Sequence, residues 1–306
     1  MRMGDEARGW AVPSAPFAPR VSRGKIDMST WFITGVSTGL GRAIAQVALE
    51  AGHTVVGTLR DPAAVVAFET LGERAVGVVL DVTDAQAVKA TVDAAEARTG
   101  GLDVIVNNAG LGYTGAIEET PIDDAKTLFD VNVWGPLAVI QAALPHLRAR
   151  RAGHIVNVGS ISGMACWNGT GIYGASKFAL DCIGRTLAQE VGPLGIKVTN
   201  VAPGGMRTEF AASRLLGAEP RISDYAGTAH MARQVLTGHH GEEPSDPVKV
   251  AHAVLEAVSS PHPPLVLLLG TDAQGYARHE FAMLQAQFDD WQHLTTGVAA
   301  QQGGAQ

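Results

Sequence analysis

Short, continuously apolar runs alternate along this chain with longer stretches in which an apolar residue returns every three to four positions. Trp31-Phe32-Ile33-Thr34, His53 to Thr58, Val76 to Leu80, Val104-Ile105-Val106, Ile155 to Val158, Ile196 to Val201 and Leu265 to Leu269 are apolar at successive residues and rich in β-branched side chains. A strand of that kind is covered on both faces. Between them the helical period predicts helices over Arg42 to Ala51, from Pro62 onward, from a Thr83 or Asp84 cap through Val88 and Val92 to Arg98, and over Ala125 to Leu147 with a bend near Gly135-Pro136. Two more run from Tyr173 through Leu187 and from Ser245-Asp246-Pro247 to Val258. Gly52 and Gly100-Gly101 supply helix stops. The alternation predicts an α/β fold: a doubly wound, seven-stranded parallel sheet with helices on both faces, in a single domain over residues 28–296.

Three stretches leave the pattern. Residues 1–27 are rich in Pro, Gly and Arg with neither period, which predicts a disordered N-terminal extension and a functional start at Met28. From Met206 to Glu243 the periodicity weakens, as expected of a lid or substrate loop, or of a mobile segment. Phe281, Leu284, Phe288, Trp291 and Leu294 form an apolar helical stripe that reads first as core packing and second as a subunit interface, and 297–306 reads as a flexible tail.

In such a sheet, ligands gather at the carboxyl ends of the strands, and the unusual residues lie there. The first strand runs into Gly35-Val36-Ser37-Thr38-Gly39-Leu40-Gly41 and then a helix. Glycines let the backbone turn tightly and approach a pyrophosphate, while the first helical N–H groups carry the positive end of the dipole. Leu59-Arg60 ends the second strand, Asp81 the third, Asn107-Asn108-Ala109-Gly110 the fourth, Gly159-Ser160 the fifth and Pro203-Gly204 the sixth. Tyr173 and Lys177 are four apart on one helix, so the phenol and the ammonium share a face. A fixed positive charge favours the phenolate and would lower a phenol pKa, making the pair a general acid/base. Taken singly, each of these is also ordinary structure: a turn, a strand-end cap, a tyrosine beside a solvated lysine.

Composition narrows the classes. Of 306 residues 46% are hydrophobic, the net charge is -7, and the 23 Lys and Arg are scattered, which argues against a nucleic-acid partner. Two cysteines, Cys166 and Cys182, make neither a disulfide framework nor metal-ligand spacing, in keeping with a reducing, cytoplasmic setting. No signal-peptide core and no apolar run of membrane-spanning length is apparent, so no membrane partner is expected. His53, His146 and His154 lie at element ends without an acidic partner at ligand spacing, and with His239-His240 they read as structural or exposed, with no metal site.

Thr34-Gly35-x-x-x-Gly39-x-Gly41, Asn107-Asn108-Ala109-Gly110, Asn132, Ser160, Tyr173-x-x-x-Lys177 and Pro203-Gly204 followed by Thr208 stand in an order that resembles the short-chain dehydrogenase/reductase family, over about Ser29 to Leu294. The resemblance implies a Rossmann-type oxidoreductase that moves a hydride between a nicotinamide and a carbonyl or secondary alcohol. It implies Tyr173 as general acid/base, Lys177 lowering its pKa and holding the nicotinamide ribose, Ser160 donating to the substrate oxygen, and Asn132 holding a relay water. Cofactor contacts would come from Gly35, Ser37, Gly39, Leu40, Arg60, Asp81, Val82, Asn108, Ala109, Gly110, Tyr173, Lys177, Pro203, Gly204 and Thr208. Gly159 stands where the family usually has a serine. Leu59, where NAD enzymes carry an acid, and the following Arg60 resemble the NADPH-preferring steroid and retinol reductases, which favours NADP over NAD. The flanking positions Leu111 to Tyr113, Met164 to Trp167 and Met206 to Phe210 imply a bulky apolar substrate. Family habit suggests a homodimer or homotetramer. The alternatives are an epimerase or dehydratase on the same fold, or a non-catalytic NADP(H)-sensing regulator.

Overall fold

Burial alternates along the first strand: Trp31 and Ile33 enter one core, Phe32 the other. A strand that feeds two cores must lie inside a covered sheet. The computed structural model describes residues 28–210, 214–238 and 241–298. The expected extension over 1–27 and nearly all of the expected tail lie outside them.

The strands are β1 (Thr30–Thr34), β2 (Thr54–Leu59), β3 (Ala75–Val79), β4 (Val104–Asn107), β5 (Gly112–Thr114), β6 (Gly153–Val158), β7 (Ile196–Pro203), β8 (Leu215–Gly217) and β9 (Val266–Leu269). Seven form one parallel sheet in the order β3-β2-β1-β4-β6-β7-β9. The order reverses between β1 and β4, the switch point at which such sheets open a crevice. Helix α1 (Gly39–Glu50), α2 (Ala63–Glu69) and the crossover helix Pro247–Ser259 cover one face, with Ile44, Val47, Phe68, Val250 and Val254 in that core. Helices α3 (Ala85–Thr99), α5 (Gly135–Arg150) and α6 (Gly171–Val191) cover the other through Val88, Val92, Val139, Leu147 and Leu187. Asp84 caps α3 by accepting from the N–H groups of Gln86 (3.0 Å) and Ala87 (2.9 Å), and Gly100, at φ 77°, ends it.

Three expectations are corrected. The bend expected near Gly135-Pro136 is a π-helical turn over Asp130–Trp134 between α4 (Ile122–Phe129) and α5. Pro136 has no N–H to return to the carbonyl four residues back, that of Asn132. The helix widens there, and Gly135 N–H bonds to Asp130 O. The merged helix Ile122–Arg150 reaches membrane-spanning length and composition, as core helices also do, and 50% of its apolar window is buried. The apolar stripe is not core: Phe281 and Phe288 on the helix Thr271–Asp290, and Trp291 and Leu294 beyond it, are exposed, because only Ala273 and Ala277 at the start of that helix reach the sheet. His146 does have an acid, Asp93 of α3 at 2.8 Å, a pairing across 53 residues that local spacing could not reveal.

The weakly periodic segment also contains structure. Its β8 pairs with β5 in a separate two-stranded parallel sheet, Gly112 to Leu215 and Thr114 to Gly217. Glu119, 2% exposed, accepts from the N–H groups of Arg221 and Ile222 at 2.6 Å each and lies 2.7 Å from His230 Nε2. Burial pushes the Glu119 pKa up; the two backbone donors and the His230 ring outweigh it and hold it at about 2.

Candidate active site

Small residues set the central geometry. A Cβ on Gly163 would stand 2.9 Å from Lys177 O, and one on Gly174 would stand 3.1 Å from Ser162 O. The turn after β6 therefore lies directly on the first turns of α6, which puts Ser160 beside Tyr173 and Lys177. Ser160 Oγ accepts from Ser162 N–H at 3.1 Å, which orients the hydroxyl. The Lys177 ammonium, 5% exposed, donates to Val158 O at 3.0 Å and stands 5.8 Å from the centre of the Tyr173 ring. Burial lowers the Lys177 pKa to about 8. Tyr173 goes the other way from the sequence expectation: burial pushes its phenol up to about 12, with a hydrogen-bonding interaction from Ser160 opposing. Desolvation, which favours the neutral phenol, outweighs what the sequence spacing credited to the lysine.

Asn132, 1% exposed, sits in the π-helical turn. Its amide donates to Leu111 O (2.9 Å) and Ser176 Oγ (3.1 Å), and its Oδ1 accepts from Leu111 N–H (2.9 Å). Both amide hydrogens are thus committed to holding the chain after β4 against α6.

The glycine turn is a cradle that is tight at Gly35 and Gly41. Gly35 and Gly39 lie at φ 73° and 60°, and a Cβ on Gly35 would meet Ala109 Cα at 3.1 Å. Asn108 ties the turn to β4, donating from Nδ2 to Thr34 O (2.8 Å) and Gly35 O (3.0 Å). Asn108 and Ala109 N–H both donate to Thr34 Oγ1, at 2.9 and 3.0 Å. Thr38 makes no side-chain cap to α1 and no acid lies in its first turn, so the positive end of the helix faces the crevice. Thr208 stands across the turn, 3.7 Å from where a Gly39 Cβ would be.

The remaining predicted residues fall into two groups. Arg60 is exposed at the end of β2, and Asp61 beside it is committed to Ala63 N–H at 2.9 Å. Asp81 spends Oδ1 on Thr83 N–H (2.9 Å) and Oγ1 (2.8 Å), leaving Oδ2 open, and those bonds, with Arg60 nearby, keep its pKa down. Gly110 lies beside Asn132 and Lys177, while Pro203 and Gly204 close β7. By contrast Leu40 and Val82 are buried: Leu40 belongs to the core under α1, and Val82 packs where a Gly135 Cβ would be. Tyr113, Met164 and Ala165, expected to flank a substrate, are buried in packing, with the Tyr113 hydroxyl donating to Asp124. Phe210, whose ring centre is 6.2 Å from that of Tyr173, remains as an apolar wall.

Sequence reading missed a ladder of amides beneath this site. Asn107, Asn157 and Asn200 stand in register on β4, β6 and β7. They bond side chain to side chain at 2.9 and 3.0 Å, and Asn200 Nδ2 donates to Asp181 O on α6 at 2.9 Å. The signal was one asparagine interrupting each of three apolar strands at the same level. Asp272, which accepts from Gly205 N–H at 2.7 Å and fixes the chain after β7, was also missed.

This arrangement has known counterparts. A short chain dehydrogenase family model matches residues 29–217. Oxidoreductase BOA17 of Botryotinia fuckeliana is 38% identical over 272 residues, 88% of this chain and 98% of its own. The crystal structure of a short-chain dehydrogenase from Streptomyces avermitilis superposes with TM-score 0.85 at 36% identity, covering 90% of this chain and 100% of the other. Two similar structures hold cofactors. One is a short-chain dehydrogenase/reductase from Burkholderia phymatum in complex with NAD (TM-score 0.75, 27% identity, 85% and 95% covered). The other is ElxO with NADP bound (0.67, 25%, 79% and 97%). This chain belongs to the short-chain dehydrogenase/reductase family, as an oxidoreductase acting on CH–OH or C=O groups.

Proposed function

We propose that this protein is an NADP(H)-dependent carbonyl reductase or alcohol dehydrogenase in which Tyr173 is the general acid/base. The observation that carries the reading is the convergence of the Ser160 hydroxyl, the Tyr173 phenol and the buried Lys177 ammonium where the turn after β6 meets α6. When bound, the nicotinamide supplies or accepts the hydride. The glycine turn, the Asn108-Ala109-Gly110 stretch and Thr208 would hold the cofactor, Asp81 Oδ2 its adenine, Arg60 its 2'-phosphate and Lys177 its nicotinamide ribose. The free helix end and the tight glycine cradle are what support the fit.

A phenol held at about 12 is protonated at neutral pH and ready to donate. In carbonyl reduction the Tyr173 O–H gives its proton to the substrate oxygen while Ser160 donates a hydrogen bond to the charge building there. The phenolate left behind is stabilised by Lys177. Protons would return through Lys177 and a water at the main-chain carbonyl of Asn132, since that residue's amide hydrogens are committed elsewhere. Residues 206–243 serve as the substrate lid, with Phe210 as its apolar wall, favouring a bulky hydrophobic substrate. We further infer a cytoplasmic homo-oligomer.

The decisive measurement is nicotinamide absorbance with ketones and aldehydes. Tyr173→Phe should lower turnover by at least about 10²-fold while NADPH binding persists; unchanged turnover would sink the mechanism. Charge-assisted hydrogen bonds are strong enough that kcat/KM should favour NADPH over NADH by about ten- to a hundredfold, and Arg60→Leu should erase most of that preference. Leu59 is the wrong position to exchange: it is 2% exposed, and an acid there would put a carboxylate in the core.

A further inference from the structure

Opposite the glycine turn stands an arginine that the roles above leave unused. Arg214 is fixed by its main chain at the entry to β8: its N–H donates to Phe210 O at 3.0 Å and its carbonyl accepts from Gly112 N–H at 2.8 Å. Its side chain crosses to the glycine turn, placing Nη2 3.5 Å from Ser37 Oγ, at the limit of hydrogen-bonding distance. Arg60, exposed at the end of β2, lies near enough for its charge to act on Arg214. Burial and the neighbouring charge of Arg60 both lower the Arg214 pKa.

Neither guanidinium has a carboxylate within 4.0 Å among the described residues. Asp61 is bonded to Ala63 N–H, and Asp81, whose charge acts on Arg60 without a direct contact, spends Oδ1 on Thr83. The Arg60 and Arg214 charges repel each other, and an anion between them reverses the sign of that interaction. A phosphate suits the geometry, since each guanidinium presents paired N–H donors to it. The glycine turn, with Thr38, brings no basic residue of its own.

We propose that Arg214 is a second basic residue for the 2'-phosphate of NADP(H), reaching across from the 206–243 segment to complete a site with Arg60 and Ser37. Phosphate bound there fastens that segment over the crevice. The inference rests on the NADP preference argued above.

Calorimetric titration of the full-length protein with 2',5'-ADP, ADP, NADPH and NADH tests it without turnover. Arg214→Ala should weaken 2',5'-ADP and NADPH by about tenfold, the size of one lost charge-assisted contact, and ADP and NADH by less than about twofold. Arg214→Lys should recover part of the loss. The Arg60→Ala, Arg214→Ala double variant should lose less than the product of the single effects, since both bind one phosphate. In wild type, 2',5'-ADP should protect the 206–243 segment from protease; in Arg214→Ala it should not. Equal weakening of NADH and NADPH would overturn the assignment in favour of the shared pyrophosphate or of folding. A wild type that binds 2',5'-ADP no better than ADP would overturn the NADP reading beneath it. A wild type that favours 2',5'-ADP and keeps that preference in full after Arg214→Ala would overturn the role of Arg214 alone.

Discussion

Gly35 and Gly41 hold one side of the crevice by leaving little space for a side chain, while the segment from Met206 to Ser245 on the other side is held by polar bonds. On the glycine side the tightest approaches are to backbone, to the Ala109 methyl and to the Asn108 amide, backed by two apolar cores. On the other, Arg207 N–H donates to Ser245 O at 3.0 Å, Arg207 Nε to Glu243 O at 2.7 Å, and Glu119 gathers Arg221, Ile222 and His230. Met231–Gly238, the helix within it, has no buried residue. Steric exclusion within a packed core holds its geometry as long as the core stays folded, whereas polar anchors open locally at lower cost. A cofactor cradle needs the first property, and a segment that admits substrate needs the second.

The largest effect should follow from breaking the steric side. A Cβ on Gly41 would stand 2.2 Å from Asn108 Nδ2 and 2.4 Å from Gly35 O. The amide could rotate away at the loss of its two bonds, but the carbonyl belongs to the turn itself. Alanine gains up to ~1 kcal/mol in helix propensity, against about 1–3 kcal/mol or more for overpacking. The clash should win, because a backbone atom cannot yield without moving the turn. Gly41→Ala should therefore lower the Tm by roughly 2–8 °C for a chain of this size and abolish detectable NADPH binding. A melt at the wild-type temperature with cofactor binding intact would show that the cradle tolerates a side chain.

The same contrast explains what could be read in advance. The seven strands of the main sheet, their order of appearance and the shared helix face of Tyr173 and Lys177 were legible because apolar runs, helical periods and i,i+4 spacing are local properties. The π-helical turn was legible only as a bend, since Pro136 marks a missing N–H but not how the helix absorbs it. Glu119 and its partners were illegible. They lie 102 to 111 residues apart, and a glutamate two places before a proline looks like any exposed acid. The β5–β8 pair was missed because three-residue strands carry no period. The exposed stripe from Phe281 to Leu294 misled for the opposite reason: its period is clear, but period says which residues share a face and not what that face meets.

The smallest effect, and the one that sharpens the comparison, concerns Glu119. Its pKa lies at about 2 in the folded chain against an ordinary value of 4.5, so the folded state binds the carboxylate form. The sign follows: a depressed pKa contributes stability that is complete above about 4.5 and fades as pH falls toward 2. Because the groups it holds belong to the 206–243 segment, the loss should be local. Between pH 5 and pH 3 protease should begin to cut within residues 214–238 before the sheet core unfolds, whose hydrogen exchange should stay protected. Glu119→Gln should show the same cleavage at neutral pH, since its amide can still accept from the backbone N–H groups but no longer offers a charge to His230. That variant should raise KM several-fold with little change in kcat, because Glu119 touches neither Tyr173 nor Lys177. If acid and Glu119→Gln instead melt the whole chain together, the segment is part of the rigid body and the division drawn here between the two sides of the crevice is wrong.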